Sequence, residues 1–582
     1  MKAKPFLLSS LALSLALATG SASAGENADT VYVNGQVYTV NTDQAWAEAF
    51  AVKDGKFVKL GSSKEIMAFK DADSKVVDLK GQFVMPGFID AHTHPVRVKM
   101  VENVFFNNST ANLEHKTPEE FGKLLQEYAK GRGADKEWIF GKAFSWSYFH
   151  NTGVTMDRHY LDKYIPDRPA AIEDEGGHVV VVNTRALELA GITKDTKAAE
   201  GGKILLDEKG EPNGHLVAGP AIQQVLKYHP AHRMKDVTEA AVESMKEINA
   251  FGITSVKVME GDREQMQAYH DLDKAGKLTM DVNMHPYINE FYFGKSILPA
   301  LKEKHKYETE RFRVDGVKTF IDSSPFGRAA ALHKPYAGSD DYGKLYTPYE
   351  RFKDEMIMYN GMGLAVTTHT VGDRGMSLVL KAMEESAKVN GIEKVRELRN
   401  HIAHCFMVED QDFARAKNVN ATMEFSPGFW TPMPVYEMLA QDMPNGMEDI
   451  KNFFPIKKAI AEGNNYVAAS DWSQSPLDPL QHIETLTTRR MPGASESEKS
   501  MNPDAVIPLE NAIRSYTLNA AVSLRLEDKV GSLEKGKKAN FQIMSNNLFE
   551  VPKNQVHAQY PTKVYYEGKL IAENDRKPVE AS

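Results

Sequence analysis

Strand-like apolar runs alternate with helical stretches through the middle of the chain. Helices are predicted, for example, at 237–251, 351–360, 376–390 and 410–418. The runs between them are nearly continuously apolar, as in parallel strands that are buried on both faces. Eight such runs are predicted as strands, at 87–92, 252–258, 280–287, 313–321, 363–369, 399–404, 419–424 and 466–470. This order predicts an α/β fold, specifically a (β/α)8 TIM-type barrel.

Both ends of the chain have a different pattern, made of short strands and tight turns. Asn34-Gly35 and Glu567-Gly568 each separate two short strand-like runs. Neither end is large enough to bury a core alone, so we predict one β-sandwich domain built from both termini, with parts at 25–84 and 530–582. The barrel then spans 85–529, and residues 113–236 are too long for one crossover and form an insertion.

The first 24 residues are predicted to be a signal peptide. Lys2 and Lys4 precede an apolar core, and Ala22-Ser23-Ala24 supplies the small residues of a cleavage site before Gly25. We therefore expect a periplasmic or secreted protein. No later run is as long as a membrane-spanning helix, so no membrane anchor is expected.

Charge and composition narrow the range of partners. The net charge of −9 argues against a nucleic-acid partner, which would require a basic surface. A small-molecule substrate is expected, and homo-oligomerisation is left open. The single cysteine, Cys405, allows no internal disulfide and is interpreted as a buried small apolar residue.

Metal-binding residue types recur at the predicted strand ends. His92 and His94 have the i, i+2 spacing that directs both side chains to one face of a strand. Because barrel chemistry lies at the carboxyl ends of the strands, other residues in such positions are candidates for the same site. These are Lys318, His369, His404 and Asp471. The set predicts a divalent-metal site, with zinc as the first candidate and one or two ions.

Several longer motifs resemble the amidohydrolase superfamily, in particular its amidohydrolase-3 branch, which includes N-substituted formamide deformylases. They are Pro86-Gly87-Phe88-Ile89-Asp90-Ala91-His92-Thr93-His94, Gly316-Val317-Lys318-Thr319-Phe320-Ile321-Asp322, Thr368-His369-Thr370-Val371-Gly372-Asp373-Arg374, His401-Ile402-Ala403-His404, Ala469-Ser470-Asp471 and Gly531-Ser532-Leu533-Glu534-Lys535-Gly536-Lys537. The resemblance covers nearly the whole chain after the leader. It implies a metal-dependent hydrolase on a (β/α)8 barrel.

The resemblance also implies roles for the strand-end residues. His92 and His94 would bind a first metal, and His369 and His404 a second. Lys318 matches a lysine that is N-carboxylated and bridges two metals in many binuclear members, although a lysine that pairs with an acid such as Asp322 is the simpler alternative. Asp471 would bind the first metal and act as general base.

Three further residues are candidates for substrate binding. His178 matches a histidine that is common in the insertion of this branch, and a hydrogen-bonded loop histidine is the alternative. Arg374 is of a type that clamps carboxylates, and Asp322 follows the strand of Lys318. The chain departs from its relatives at Ala403, where a glutamate is frequent, and at Ser323, where glycine is frequent.

The function predicted is hydrolysis of an amide-type, non-peptide C–N bond. A mononuclear deaminase of the same superfamily is the first alternative, but such enzymes typically carry a glutamate three residues after the histidine of strand 5, where this chain has Gly372. A binding or regulatory protein on an inactive enzyme scaffold is the second alternative.

Overall fold

A computed structural model describes residues 27–103, 117–131, 138–144, 149, 152–174, 179–199, 202–217, 219–228, 233–288 and 296–574. The predicted signal peptide and His178 lie outside these residues, so the structure says nothing of either prediction. Within the described part of the chain, no helix is both long and apolar enough to cross a membrane.

Two parallel sheets form the centre of the molecule. One has four strands, in the spatial order Phe312–Val314, Asp281–Met284, Ile253–Val258 and Phe88–Thr93. The other has five, in the order Gly316–Phe320, Ala365–Thr370, His401–His404, Thr422–Phe425 and Asn465–Ala468. Most of their residues are buried on both faces, which explains the continuous apolar runs in the sequence.

The predicted fourth strand, 313–321, is in fact two segments separated at Asp315. The first segment pairs with the strand Asp281–Met284, and the second pairs with Ala365–Thr370. The ring of His285 lies so close to Gly316 that a β-carbon there would be 2.3 Å from it, and Nε2 of His285 lies 3.2 Å from Asp315. The hydrogen-bonded ladders therefore form two sheets rather than one closed sheet. Isolated parallel bridges connect them, Thr93 to Trp472 and Tyr287 to Lys318.

Helices surround the parallel strands. They lie at Pro95–Asn103, Met234–Ala250, Arg263–Lys274, Leu298–Lys302, Tyr349–Gly361, Asp373–Asn390, Ile392–Leu398, Asp410–Asn418, Pro434–Asp442, Met447–Lys451, Ile456–Ala461, Pro479–Thr488, Leu509–Ser515 and Leu518–Ser523. Asp373–Asn390 shows the usual reason for their placement. Its buried residues Met376, Val379, Leu380 and Met383 recur at three- and four-residue spacing and face the sheet.

Strands from both ends of the chain lie in one six-stranded sheet. Its order is Lys569–Glu573, Pro561–Tyr566, Phe541–Met544, Phe83–Pro86, Gln36–Tyr38 and Trp46–Ala47. A second sheet has the order Lys56–Gly61, Ala49–Lys53, Thr30–Val33 and Lys75–Asp78, and the helix Ser63–Met67 follows its first strand. Tyr32 and Phe50 of the second sheet share one hydrophobic cluster with Phe541 of the first.

The region of the predicted insertion has a sheet of its own. Its strands are ordered Lys203–Leu206, Pro212–Val217, Val179–Val182, Ala170–Asp174 and Ile139–Phe144. Helices at Pro118–Gly131, Arg158–Tyr164, Thr184–Ala190 and Gly219–Leu226 pack with it.

Candidate functional site

A cavity of about 310 Å³ lies at the carboxyl ends of the parallel strands. All six strand-end residues singled out in the sequence line it: His92, His94, Lys318, His369, His404 and Asp471. Their strands come from both parallel sheets, so the cavity lies where the two sheets meet.

The pair His92 and His94 enters the cavity from the strand Phe88–Thr93. His92 is the fifth residue of the strand, His94 follows its end, and Pro95 begins the next helix, where its fixed φ angle and missing N–H are tolerated. The ring centroids of the two histidines are 5.3 Å apart. The i, i+2 spacing therefore brings both imidazoles to the same side.

Asp471 lies directly against this pair. Its Oδ1 is 3.1 Å from Nε2 of His94 and 3.3 Å from Nε2 of His92. Its backbone has a φ of 52°, a left-handed conformation that is uncommon outside glycine and frequent at functional sites. Burial favours the neutral acid, but His92, His94 and Lys318 outweigh it and hold the pKa of Asp471 below its usual range. Asp471 is thus a carboxylate at neutral pH.

His404 and His369 form the opposite side of the site. Their ring centroids are 4.5 Å apart, and the ring of His404 is 5.0 Å from that of His92. His404 also has a left-handed backbone, with a φ of 76°, and its Nδ1 lies 3.1 Å from the hydroxyl of Ser426. Phe320 stacks on His369 with the centroids 4.9 Å apart.

Lys318 lines the same cavity and lies beside His92. It is 1% exposed, and its Nζ is 3.3 Å from Nε2 of His92. Burial lowers the pKa of Lys318 to about 8, although the negative charges of Glu424 and Asp471 act to raise it. A cationic lysine is therefore less favoured here than at a surface.

The donors present fit a divalent metal ion. His92, His404 and Asp471 each offer one ligand atom, and these atoms all lie within 4.8 Å of one another. Burial, together with the charge of Lys318, lowers the pKa of His92 well below its usual range, and burial does the same for His404. Neutral imidazoles and a carboxylate are the ligands that zinc and similar ions take in proteins.

Two acidic residues at the site were missed by the sequence interpretation. Glu424 is fully buried, and its Oε2 is 2.6 Å from Nδ1 of His92. Glu260 lies 3.3 Å from Nδ1 of His94. Burial alone would lower the pKa of His94, but Glu260 and Asp471 raise it above its usual value. Both acids lie at or just after the end of a predicted strand, which is the same signal that identified Lys318.

Histidine ligands of metals usually donate their second N–H to a carboxylate or carbonyl. Glu424 fills this role for Nδ1 of His92, and Nε2 is then the nitrogen that faces Asp471 and Lys318.

Asp322 and Arg374, predicted as substrate-binding residues, are not among the residues that line the cavity. Asp322 is fully buried and accepts hydrogen bonds from the backbone N–H groups of Ala331, Val371 and Gly372. Burial raises the pKa of Asp322 to about 7, although these three hydrogen bonds act to lower it. Arg374 donates to the carbonyls of Tyr342 and Gly343.

The remaining cavity wall is mainly apolar. Its aromatic residues are Tyr287, Phe320, Phe326, Phe406, Phe429 and Tyr436. Arg97 also lines the cavity, and its guanidinium is 2.5 Å from the carboxylate of Glu173. The positive charge of Arg97 is therefore balanced by a buried acid.

Residues 75–572 match the profile of the Amidohydrolase family, Amidohydro_3. The chain belongs to this amidohydrolase family. Among its relatives, YtcJ of Bacillus subtilis is 24% identical over 556 residues, covering 93% of this chain and 99% of YtcJ. The N-substituted formamide deformylase of Arthrobacter pascens is 24% identical over 555 residues, covering 93% of this chain and 98% of the relative. The sequence prediction of the family is confirmed.

A solved structure of this amidohydrolase fold supports the architecture. An uncharacterized metal-dependent hydrolase from Pyrococcus horikoshii superimposes with a TM-score of 0.70 at 22% identity, covering 90% of this chain and 99% of that chain. At this identity the similarity establishes the fold alone, and the superfamily implies a TIM-type barrel. The family supports a hydrolase, and the donors His92, His404 and Asp471 fit a divalent metal.

Proposed function

We propose that this amidohydrolase hydrolyses an amide-type C–N bond of a small, uncharged, N-substituted substrate. The observation that carries the proposal is the convergence of four histidines, Lys318 and Asp471 in one buried cavity. The formamide deformylase among the relatives supports this reaction class. A divalent metal held by this set would polarise the substrate carbonyl and make water more acidic.

Asp471 is the residue that we assign to proton transfer. As a carboxylate it accepts the proton of the attacking water, and the protonated acid then donates it to the leaving nitrogen. Its Oδ1 is held by contacts with Nε2 of His94 and His92. These contacts restrict the carboxylate to the side of the cavity that His92 and His94 form.

We also propose that Lys318 is N-carboxylated. The uncharged amine attacks CO2 at carbon, forms a carbamate and releases one proton. An ammonium cannot be a metal ligand, whereas the oxygens of a carbamate on Lys318 would add to the donors that His92, His404 and Asp471 offer to a divalent metal. The burial of Lys318 favours the uncharged amine that this reaction requires.

The apolar wall of the cavity indicates the kind of N-substituent. A charged substituent would lose its hydration against the aromatic side chains, and Arg97 is already paired with Glu173. An aromatic or branched aliphatic group fits both the wall and the volume of about 310 Å³.

Deamination is disfavoured by the backbone at Gly372. A β-carbon at this position would lie 2.0 Å from the carbonyl oxygen of Ala331, so the glutamate that deaminases place there cannot be accommodated.

We further propose that the parallel strands close into one eight-stranded barrel and that the two terminal sheets form one β-sandwich domain. The isolated bridge from Thr93 to Trp472 supports closure, as does the bridge from Tyr287 to Lys318. The shared hydrophobic cluster of Tyr32, Phe50 and Phe541 supports the sandwich.

The test combines metal analysis with a substrate panel. Purified protein is assayed for bound zinc, manganese, iron and nickel, and then for hydrolysis of N-benzyl- and N-alkylformamides, N-acyl amino acids, cyclic amides, esters and aminopurines. We expect stoichiometric metal and the highest kcat/KM on an uncharged N-substituted amide. Absence of bound metal with no metal-stimulated activity would instead favour a non-catalytic binding protein, and release of ammonia from aminopurines would favour a deaminase.

A further inference from the structure

A row of buried polar side chains leads away from His92 into the interior between the strands. Nδ1 of His92 lies 2.6 Å from Oε2 of Glu424, and the same oxygen lies 3.0 Å from Nε2 of His401. Nδ1 of His401 lies 3.1 Å from Nζ of Lys257. Each of these four side chains is at most 1% exposed. All four lie on parallel strands, His92 and Lys257 on neighbouring strands of one sheet and His401 and Glu424 on neighbouring strands of the other. No step of the proposed reaction uses Glu424, His401 or Lys257.

The row ends at a helix. Nζ of Lys257 lies 3.0 Å from both the carbonyl oxygen and the hydroxyl of Ser523, the last residue of the helix Leu518–Ser523. These contacts fix the position of the amine. A charged lysine has only N–H donors, and an uncharged lysine still has two, which suffice for the carbonyl of Ser523 and for His401.

The chemistry of the donors determines the direction of every bond in the row. Lys257 donates to Nδ1 of His401, so the hydrogen of a neutral His401 is on Nε2 and is donated to Glu424. The carboxylate of Glu424 can only accept, so Nδ1 of His92 must also donate to it. Nε2 of His92 is then left with its lone pair directed toward Asp471 and Lys318.

We propose that Lys257 and His401 are positioning residues that act through Glu424 to hold His92 in the tautomer and orientation required for metal binding. The inference rests on the metal-dependent function proposed above. Buried polar groups are costly for a protein to keep, and apolar side chains would fill the same space at no loss of packing. A role in aligning His92 for metal binding explains why a buried lysine lies beyond Glu424 and His401 in this row.

The test compares two substitutions of equal length. Lys257→Met has no donor, whereas Lys257→Gln keeps an amide N–H, at the position that the terminal methyl group has in methionine and one atom nearer the backbone than Nζ of lysine. The full-length mature protein is depleted of metal, and the dissociation constants for Zn²⁺ and Co²⁺ are measured by competition with a chromophoric chelator. We expect Lys257→Met to bind 10- to 100-fold more weakly than wild type, which is the usual effect of losing such a supporting contact. Lys257→Gln should stay closer to wild type.

Two further measurements separate alignment from simple packing. The visible absorption bands of bound Co²⁺ should change in Lys257→Met, because the ligand geometry at His92 is altered. His215→Asn is the matched control: His215 is also buried, but it lies on the strand Pro212–Val217 in the sheet of the insertion region, where its Nδ1 is 3.1 Å from Oδ1 of Asn213. This control should lower the melting temperature of the metal-free protein while leaving both dissociation constants unchanged.

His401→Asn provides an independent test if Lys257→Met does not fold, because asparagine is too short to contact both Lys257 and Glu424. It should also weaken metal binding 10- to 100-fold. If folded Lys257→Met or His401→Asn protein kept wild-type metal affinity and an unchanged Co²⁺ spectrum, the positioning role would be overturned. The proposed function would not be affected by that result. Wild-type protein that binds no metal would overturn the proposed function itself.

Discussion

Oδ1 of Asp471 lies 3.1 Å from Nε2 of His94. Asp471 follows the last parallel strand and His94 follows the first, so this contact joins the two ends of the strand order. It also defines where a proton acceptor is available in the cavity.

Replacing Asp471 with asparagine tests the general-base assignment. An amide cannot take the proton from water, so kcat on an identified substrate should fall by roughly 10²- to 10⁴-fold. Bound metal should largely remain, because the histidines are unchanged. The control is Asp410→Asn, the same chemical change at an exposed side chain, which should be neutral. Near-normal turnover by Asp471→Asn would exclude Asp471 as the base.

Removal of metal should abolish activity reversibly. Prolonged dialysis against a chelator, followed by addition of Zn²⁺, Mn²⁺ or Mg²⁺, is the measurement. Because the donor set is rich in imidazole, Zn²⁺ should restore activity and Mg²⁺, which prefers oxygen ligands, should not. His92→Ala should not be restored by any of the three at concentrations that reactivate wild type. Full activity in the exhaustively chelated protein would contradict metal dependence.

The main strands were predictable because their residues are buried on both faces and form nearly continuous apolar runs. Their ends also identified six of the residues that line the cavity. The break at Asp315 had a local signal, because Asp315-Gly316 is a turn-type dipeptide inside the run 313–321, but the close approach of the His285 ring to Gly316 had none. A contact between segments that are far apart along the chain leaves no local pattern.

The same distinction applies to the site. Glu424 and Glu260 lie at or just after the ends of predicted strands, so the position that identified Lys318 also identifies them. The surroundings of Asp322 were not accessible in this way. Its three partners are backbone N–H groups of two other segments, and backbone donors have no sequence signature.

Protonation of His285 should destabilise the protein as the pH falls. Burial, which outweighs the hydrogen bond with Asp315, lowers the pKa of His285 to about 4. The unfolded chain has a histidine pKa of about 6.5, so the unfolded state binds a proton first as the pH falls from about 6.5 to 4. The stabilisation by neutral His285 is thus complete above pH 6.5 and is lost through this window, by roughly 3 kcal/mol at most.

The measurement is the melting temperature of wild type and His285→Asn between pH 8 and pH 4. Wild type should be the more stable protein at pH 8, and the difference should shrink as the pH falls toward 4. A difference that is constant with pH would show that His285 does not titrate in this window.

Phe541 connects the two terminal sheets and is a direct test of their packing. Its ring is fully buried and contacts Tyr32, Phe50 and Tyr565 at centroid distances of 5.2, 4.9 and 4.4 Å. Phe541→Ala should cost about 3–5 kcal/mol of unfolding free energy through lost burial and the cavity that remains. Leu570→Ala, at a residue that is 47% exposed in the same sheet, is the control and should cost little. Equal, small effects of both substitutions would contradict a shared core.

The predicted leader gives a test of localisation. If residues 1–24 are a signal peptide, the mature protein begins at Gly25 and is found in the periplasm or the medium. N-terminal sequencing and intact mass of protein from an untagged, full-length gene are the measurements. Signal peptidases require small residues at the cleavage site, so Ala24→Phe should block processing and leave the longer, unprocessed chain with the cells. An untagged wild-type protein that keeps Met1 and stays in the cytoplasm would refute the export prediction without affecting the assignment of the metal site.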